Sequence, residues 1–404
     1  MSNIVLDEEG RSMEHSFCFN ASVSPPMWMT SKSIVFWVEG VSLGLTGVIG
    51  IIGNILTGVV LSKISLKNVF NQLILVLCAF DTLFNAFSVL EYSLKKAFGL
   101  ISYSTPIYVI LWPKFIYPLQ NITYSASLCI TMAIAIERYL AVCHPFFVHQ
   151  EQSLGGNGTC ISFRKRTLRY LLPALMFAVT INIPKFLEFR NFVRSDNETY
   201  IEPTEMRLDA DYQFYYINWT RMTLTAFLPF VLLAFLNSRI IFEIRKAEKL
   251  SSQNLQGDSR VSTNRREAKL ARILVLLVFS FLFCNLGKLL LNIYDIGSLA
   301  KIRTCTEMGL IFRSPQWVIS LISVNHLLVV MNSSANLLLF SVIGTQFRAT
   351  LLAILHLRPT PPRMVIIQNG SPVFSRQMTP RPRWNSPSFN EHHDVSLIVH
   401  TSVF

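Results

Sequence analysis

YVILWPKFIYPLQNITYSASLCITMAIAIERYLAVCHP, the stretch from Tyr108 to Pro145, decides how this chain folds. It is long, almost entirely apolar, and closes on a charged pair followed by a tyrosine. Its polar side chains recur at helical spacing: Tyr117, Gln120, Tyr124, Ser127, Thr131 and Arg138. Residues three and four apart lie above one another on a helix, so these side chains share one face. The pattern is typical of a membrane helix buried among other helices, with its polar face lining a cavity.

The rest of the chain has the composition of a membrane protein. Of its 404 residues, 51% are hydrophobic and only 15% are charged, whereas soluble domains carry about 25% charged residues. An apolar run of about 20 residues can cross a bilayer. The sequence contains seven such runs: Ile34–Ser62, Val69–Leu94, Tyr108–Cys143, Leu168–Leu187, Ile217–Ile244, Leu270–Ile296 and Gln316–Ile343. We therefore predict an all-α membrane protein, a seven-transmembrane helix bundle followed by a short amphipathic helix.

The distribution of charge predicts how the spans are oriented. Basic residues follow span one, precede span four and cluster between spans five and six, whereas acidic residues precede span one and lie between spans four and five. Because basic residues stay on the cytoplasmic side, we predict a multi-pass plasma-membrane protein with an extracellular N-terminus and a cytoplasmic C-terminus. The net charge of +12 follows from this asymmetry, so nucleic acid is not a predicted partner.

These assignments divide the chain into four regions. Residues 1–33 form an extracellular tail, 34–344 the seven-transmembrane bundle, and 345–357 a short helix on the membrane surface in contact with lipid. Residues 358–404, rich in Pro, Ser and Arg, are predicted to be a disordered cytoplasmic tail. Its end, Ser402-Val403-Phe404, resembles the C-terminal ligand of a PDZ protein. A disordered end without a partner is the alternative.

Two cysteines and two asparagines stand out on the predicted outer side. Cys18 and Cys305 are the cysteines that this topology places in the oxidising compartment. They form a disulfide bridge or remain two free thiols, and the sequence leaves both possibilities open. Asn20 and Asn197 each begin an Asn-X-Ser/Thr triplet, so we predict that both are glycosylated.

A carboxylate lies within span two. Asp81 follows an apolar run, and a charge at that depth costs about 2.5–3.5 kcal/mol. A neutral, protonated Asp81 hydrogen-bonded to Asn54 of span one is one interpretation. The other is an oxygen-rich cluster that holds a sodium ion or a network of water, and the sequence does not separate those two occupants. Its further members come from spans three and seven: Ser127, Asn332, Ser333 and Asn336. No other metal or cofactor is predicted.

Motifs on six spans carry a resemblance to the rhodopsin-like (family A) G-protein-coupled receptors. They are Asn54, Asp81, Glu137-Arg138-Tyr139, Pro229, Phe281 with Cys284, and the run from Asn332 to Phe340. The resemblance covers residues 34–357, with each motif on the appropriate span. It implies signalling through heterotrimeric G proteins, with arrestin and receptor kinases as regulatory partners.

A narrower resemblance points to the invertebrate receptors for FMRFamide-like neuropeptides. The strings that carry it are Tyr117-Pro118-Leu119, Glu137–Pro145, Asn182–Glu188, Trp219-Thr220-Arg221 and Phe283-Cys284-Asn285, with Lys288 and Leu291-Asn292. This resemblance implies an extracellular amidated neuropeptide as the ligand.

The chain departs from the family's pattern at four positions. Pro113 replaces the usual span-three cysteine, and residues 188–216 contain no cysteine that could pair with one. We expect the loop to be held in another way, by its own strands or by a Cys18–Cys305 bridge. Gly287 and Leu337 replace prolines of spans six and seven. Glycine still permits bending, whereas leucine should remove the hinge. Phe340 replaces a tyrosine and removes a hydroxyl from the inner network.

The resemblance also implies a switch at the cytoplasmic end. Arg138 needs an anionic partner while the bundle is closed, and Glu137 is adjacent. Glu267, at the start of span six, is placed where the family has a second partner, although basic neighbours on its own helix are alternatives. Tyr139 completes the motif. Release of this lock would open a groove for a helix of the G protein. The alternative for Arg138 is an anchor at the lipid headgroups.

A ligand pocket is expected in the outer third of the bundle. Its candidates are Glu91, Tyr117, Gln120, Tyr124, Glu188, Trp219, Lys288, Asn292 and Asp295. Neutral Gln120 stands where amine receptors use an aspartate, so an amine ligand is disfavoured. Glu91, Glu188 and Asp295 could bind an arginine of the peptide, or they are solvated at the membrane interface. For Glu188, packing against Lys185 is the preferred reading. Lys288 neutralises an acid inside the bundle or contacts the ligand.

Other functions remain in view. A transporter should show an internal repeat and paired charges at mid-membrane. The sequence shows no repeat, and Asp81 is the only charged residue predicted to lie deep in the membrane, which disfavours a transporter. An intramembrane enzyme needs a nucleophile with its base, or spaced metal ligands; His326 stands alone in span seven, so no enzyme is predicted. A family A receptor with a non-peptide ligand, or one with an impaired relay that acts as an orphan or scaffold, is the closer alternative.

Overall fold

The computed structural model describes residues 18–19, 32–64, 69–97, 106–144, 160–193, 199–209, 211–253, 258–308, 311–312, 314–343, 345–355, 366–368 and 371–373. The chain falls into two compact units, Met1–Leu357 and Arg358–Phe404. In the second unit, strands Ile366–Gln368 and Ser371–Val373 pair antiparallel. Ser402-Val403-Phe404, Asn20 and Asn197 lie outside the described residues.

Long helices build the first unit. They are α1 (Leu43–Ile64), α2 (Val69–Ser88), α3 (Tyr117–Cys143), α4 (Cys160–Thr180), α5 (Leu228–Gln253), α6 (Asp258–Glu307), α7 (Gln316–Ser334) and α8 (Asn336–Ile343). Helix α9 (Thr345–Ile354) follows, with its Phe347–Ile354 portion bent by 114° from Asn336–Val342. Phe340 and Phe347, both buried, pack across this bend with ring centroids 5.9 Å apart.

The predicted seven-helix membrane bundle is confirmed. Among the described residues, six helices are long and apolar enough to cross a membrane on their own. Helix α4 is the seventh member, and its first half carries the basic residues Arg164, Lys165, Arg166 and Arg169. α4 packs against α2 and α3, so it belongs to the bundle in spite of that charge.

One end of the bundle departs from regular α-helix. Stretches of π-helix precede α1 (Val35–Ser42), follow α2 (Val89–Ala97), and precede α3 (Trp112–Ile116) and α5 (Tyr212–Thr220 and Thr223–Phe227). In span three, Pro113 and Pro118 lack the N–H that would continue an α-helical ladder. Because π-turns re-aim side chains and are frequent at functional sites, this end is where a binding cavity is expected.

A β-hairpin covers that end. Strands β2 (Phe189–Val193) and β3 (Thr199–Pro203) pair antiparallel. The ring of Phe189 packs edge-on against Trp112 and Tyr117 at 5.0 and 5.1 Å. The Thr204 hydroxyl donates to the Leu187 carbonyl at 2.7 Å. Aromatic packing and hydrogen bonds therefore hold this loop, as expected for a loop held by its own strands. We call this the hairpin end, and the opposite one the Arg138 end.

A second pair of short strands lies outside the helices. β1 (Cys18–Phe19) pairs antiparallel with β4 (Ile311–Phe312). Beside it, Cys18 and Cys305 are joined by a disulfide with Cα atoms 5.6 Å apart. The bridge ties the segment before helix α1 to the last turn of α6.

Span seven is interrupted even though it lacks the proline. α7 ends at Ser334, α8 begins at Asn336, and the Ala335 N–H donates to the Asn332 carbonyl at 3.3 Å. The Ser333 carbonyl accepts the Asn54 amide at 3.0 Å. Span seven is thus interrupted without a proline, and the effect of Leu337 on its ability to bend stays a prediction. A side-chain amide from span one occupies the carbonyl that an unbroken helix would use, which is a known cause of a break.

Candidate functional site

The polar residues of spans one, two, three and seven converge at mid-bundle. The Asp81 carboxylate accepts the Ser127 hydroxyl and the Asn336 amide, both at 2.6 Å. Asn336 also donates to Asn54 at 3.0 Å. Asp81 is 2% exposed, so its stability depends on these donors. Asn54 does not bond Asp81 directly; Asn336 lies between them, which corrects the pairing considered from the sequence.

A small cavity adjoins this cluster. It is bordered by residues of spans two, three, six and seven: Phe84, Tyr124, Ser127, Leu128, Thr131, Phe281, Val329, Asn332 and Ser333. Ser127 both lines the cavity and donates to Asp81. Asn332 borders the cavity, whereas Asn336 is buried in the hydrogen-bonded cluster itself. Oxygen atoms beside a carboxylate suit a hard monovalent cation or ordered water.

At the Arg138 end, two neighbouring residues of α3 form a buried ion pair. Arg138 Nε and Nη2 donate to the two carboxylate oxygens of Glu137 at 2.5 and 2.8 Å. Both residues are 4% exposed, and the guanidinium lies 4.6 Å from the centre of the Phe70 ring. Arg138 is thus neutralised inside the protein and does not extend to the headgroups.

The other two switch candidates have different outcomes. Tyr139 is partly exposed, and its hydroxyl lies 3.4 Å from His144 Nε2. Glu267 belongs to α6, but its side chain lies outside the described residues. The second partner of Arg138 therefore stays a prediction.

At the hairpin end, Glu188 is the centre of a dense polar group. It is fully buried. Its oxygens accept Lys185 at 2.6 Å, Tyr117 at 2.6 Å and Tyr212 at 2.9 Å. Arg207 approaches it at 3.5 Å. The geometry matches the preferred reading of Glu188 as a packing partner of Lys185, and it leaves no carboxylate surface for a ligand.

Glu91 is engaged from span three. Trp112 donates its indole N–H to the Glu91 carboxylate at 2.7 Å, and the Tyr108 hydroxyl donates to the same oxygen. Nearby, the Gln120 amide reaches the Ser88 hydroxyl at 3.5 Å and is 8% exposed. These contacts connect spans two and three below the hairpin.

Lys288 enters the bundle from span six. Its ammonium lies 3.3 Å from both the Tyr124 and the Thr225 hydroxyls, and 4.3 Å from the centre of the Tyr124 ring. Tyr124 in turn donates to Asn285 at 2.8 Å. No carboxylate among the described residues pairs with Lys288, so its proposed neutralisation of an acid finds no partner in that part of the chain.

The remaining pocket candidates are more dispersed. Asn292 and Asp295 are partly exposed on α6. Trp219 is 46% exposed, shares its helix face with the exposed Thr223 and Phe227, and packs edge-on against Phe214. The structure does not bring Trp219 to the polar group around Lys288.

Two functional clusters escaped the sequence reasoning. His326 Nδ1 lies 2.9 Å from the fully buried Glu39, and its ring stacks on Tyr92 at 4.1 Å. A glutamate within the apolar span one was the available signal, since a charge there needs a partner. His326 is therefore not alone in span seven.

Arg221 is the second omission. Its guanidinium donates to the side-chain oxygens of Asn182 and Asn121 at 3.2 and 3.0 Å. An arginine inside span five was visible in the sequence, although nothing there indicated that its partners would be neutral amides of spans three and four.

Comparison with known proteins agrees with this architecture. The family model described as 7 transmembrane receptor (rhodopsin family) matches residues 53–336. The chain belongs to this family of multi-pass membrane receptors, and it is a receptor rather than an enzyme.

Individual relatives narrow the likeness. The chain is similar to the FMRFamide receptor of Drosophila melanogaster, 26% identical over 338 residues that cover 82% of this chain and 56% of that protein. It is also similar to the FMRFamide peptide receptor frpr-18 of Caenorhabditis elegans, 25% identical over 330 residues that cover 76% of this chain and 66% of that protein. The chain thus spans just over half the length of the first relative.

Proposed function

We propose that this protein is a G-protein-coupled receptor for an extracellular, amidated FMRFamide-like neuropeptide. The observation that carries the proposal is the buried Glu137–Arg138 pair, which lies at one end of a bundle whose other end carries a polar group beneath a hairpin. The named FMRFamide receptors among the relatives support the choice of ligand class.

The pair supplies a two-state element. While Glu137 neutralises Arg138 the Arg138 end stays closed, because an unpaired buried guanidinium is costly. Separation of the pair would let span six move and would open a groove for a helix of a heterotrimeric G protein. Glu267 serves as the second partner in this proposal.

The ligand enters from the hairpin end, which faces the outside. Asp295 and Glu91 are the acids offered to an arginine of the peptide; Glu188 is withdrawn from that role by its four partners. Tyr117, Gln120, Tyr124, Lys288 and Asn292 complete the proposed pocket. An acidic outer surface steers a cationic peptide inward.

The wider setting follows from the same topology. The receptor resides in the plasma membrane with its N-terminus outside, glycans on Asn20 and Asn197, and its C-terminus in the cytosol. Arrestin and receptor kinases act on the tail, a PDZ protein binds Ser402–Phe404, and membrane lipid contacts α9. A sodium ion or ordered water occupies the Asp81 cluster.

A peptide screen tests the receptor function. Cells expressing the chain with a promiscuous G protein are exposed to a library of amidated neuropeptides, and calcium release is recorded. We expect one C-terminal motif to activate, Arg138→Ala to abolish the response at equal surface expression, and Glu137→Gln to raise basal signalling because the lock loses its charge.

Matched controls separate the possible failures. Lys114→Gln, an exposed change of charge on span three, should leave the response intact. Asp295→Asn should lower peptide potency, and unchanged potency would remove the acidic contact. Silence of the whole library at confirmed surface expression would contradict the peptide ligand and favour a non-peptide ligand or an uncoupled receptor.

A further prediction concerns the Asp81 cluster. Asp81→Asn replaces a carboxylate that accepts from Ser127 and Asn336 with an amide that cannot accept at both positions. We expect sodium, compared with choline at equal ionic strength, to raise the melting temperature of the purified wild type but not of the variant. Equal sodium response in both proteins would assign the cluster to water alone.

A further inference from the structure

Two cations lie in the hairpin half of the bundle without an acid in contact with either among the described residues. Lys288 extends from span six and Arg221 from span five. Thr225 relates the two positions: its hydroxyl donates to the backbone carbonyl of Arg221, one turn earlier, at 2.7 Å, and the same oxygen lies 3.3 Å from the Lys288 ammonium. Arg221 acts repulsively on the charge of Lys288.

Neutral groups hold Arg221 in position. Asn121 donates to the Tyr117 carbonyl at 2.8 Å. Asn182 donates to the Ser125 hydroxyl and to the Ala178 carbonyl, both at 2.8 Å. With their N–H groups used in this way, the two amides turn their oxygens toward the guanidinium. Side chains of spans three and four therefore fix the position of the Arg221 guanidinium.

The neighbouring carboxylate is not available to either cation. Glu188 is fully buried, and its oxygens are taken by Lys185, Tyr117, Tyr212 and Arg207. Within the described ranges, no other carboxylate lies in contact with Lys288 or Arg221. When both are protonated, the two side chains bring a positive charge that no described carboxylate compensates into the bundle, and an anion lowers that cost.

Both cations keep the means to bind one. An ammonium has three donors and a guanidinium five. Lys288 uses two donors, in contacts of 3.3 Å. Arg221 uses two toward the asparagines and also hydrogen-bonds Tyr216. Both residues are partly exposed although they lie inside the helices. Each side chain thus keeps some accessible surface.

We propose that Lys288 and Arg221 form an anion subsite within the proposed ligand pocket. Its occupant is a monovalent anion, supplied as an acidic side chain of the peptide or as a free chloride ion. The peptide source rests on the proposed function, whereas the chloride source does not. The proposed pocket would then recognise a ligand that carries both charges, with its cationic group near Asp295 and its acidic group near Lys288.

Purified protein tests the subsite without any signalling. The melting temperature of the full chain in lipid nanodiscs is followed while a bulky sulfonate buffer salt is replaced by sodium chloride or sodium N-acetylaspartate at constant sodium and ionic strength. We expect a saturable rise in the wild type that is lost in Lys288→Gln and Arg221→Gln. The charge-preserving Lys288→Arg and Arg221→Lys should retain it, as should the exposed control Lys114→Gln.

Peptide pairs then identify the source. An active amidated peptide carrying an aspartate is compared with its asparagine analogue in the calcium assay. For a carboxylate in the subsite we expect roughly a tenfold loss of potency on the wild type, as for one charge-assisted hydrogen bond. The loss should disappear in Lys288→Gln and Arg221→Gln and persist in Lys114→Gln.

The outcomes are distinct. Anion-dependent stabilisation together with a difference between the peptides assigns the subsite to the ligand, and stabilisation with equal peptides assigns it to chloride. Absence of both effects in the wild type overturns the proposal, as does stabilisation that survives in Lys288→Gln and Arg221→Gln. If no peptide activates the receptor, the proposed function fails while the stabilisation experiment still decides on the subsite.

Discussion

Carboxylates inside this bundle are stabilised by very different partners. Asp81 has neutral partners, the Ser127 and Ser333 hydroxyls and the Asn336 amide. Glu188 instead contacts two cations and two phenols. A charge with dipolar partners alone keeps an affinity for a small cation, because its neutralisation is incomplete. A charge already paired with lysine and arginine has a structural role. Residue type alone does not separate these two functions.

Glu39 belongs to the structural kind. It is fully buried, and its carboxylate lies 2.9 Å from His326 on span seven. We predict that Glu39→Ala lowers the free energy of unfolding by about 3–5 kcal/mol, the usual cost of breaking a buried pair. Glu39→Gln, which keeps an acceptor, should cost less. Thermal unfolding of purified protein measures both.

A double-mutant cycle gives the control. Since Glu39 and His326 share one interaction, Glu39→Ala with His326→Ala should cost less than the sum of the two single changes. Additive losses would show that the two side chains stabilise the bundle independently and would contradict the pairing.

At the scale of elements, glycines determine how closely span one approaches its neighbours. Gly44, Gly47, Gly50 and Gly53 recur every three residues, and a Cβ at any of them would meet an atom of span two or seven. Small residues on one face let membrane helices pack at short distance. This contact also brings Asn54 to the Ser333 carbonyl, where it interrupts span seven.

Substitution of one of these span-one glycines tests the packing, with a glycine of α6 as the control. At Gly50, an added Cβ would lie 2.5 Å from Asn85 Nδ2 and 2.6 Å from Ser334 Cβ. Overpacking of this kind costs about 1–3 kcal/mol, so Gly50→Ala should lower the melting temperature and surface expression. At Gly297 an added Cβ meets nothing within 4 Å. Gly297→Ala should be neutral or stabilising, since alanine favours helix; equal losses at both positions would contradict the packing account.

At the scale of the whole molecule, one covalent link joins distant parts of the chain. The Cys18–Cys305 bridge spans 287 positions and connects β1 to the hairpin end of α6. It cannot replace the missing span-three disulfide, because the β2–β3 hairpin is held separately by Phe189 and Thr204. Two independent devices therefore cover this end of the bundle.

Loss of the bridge should destabilise the protein as a unit. We predict that Cys18→Ser lowers the free energy of unfolding by about 2–5 kcal/mol, as for other long disulfide loops. Cys305→Ser and the double variant should cost the same amount, because one bond is lost in each case. Cys143→Ser, at a partly exposed free thiol, is the control. Thermal unfolding with and without reductant measures the effect, and no sensitivity of the wild type to reductant would contradict it.

The sequence by itself determined the class of fold and one polar cluster. A bilayer demands long apolar runs, so the spans could be counted directly. The residues around Asp81 could be grouped because they lie on spans one, two, three and seven, and those on spans one, two and seven belong to recognisable motifs. The Glu137–Arg138 pair was equally visible, since its members are neighbours in the chain.

Only the tertiary structure decided which charges meet across spans. Hydropathy defines that a helix crosses the membrane, but it leaves open the rotation and depth of that helix relative to its neighbours. The rotation and depth of the helices bring His326 next to Glu39 and surround Glu188 with four partners. They also leave Lys288 and Arg221 without a contacting acid among the described residues. The interruption at Ala335 has the same origin, because the amide that causes it comes from another span.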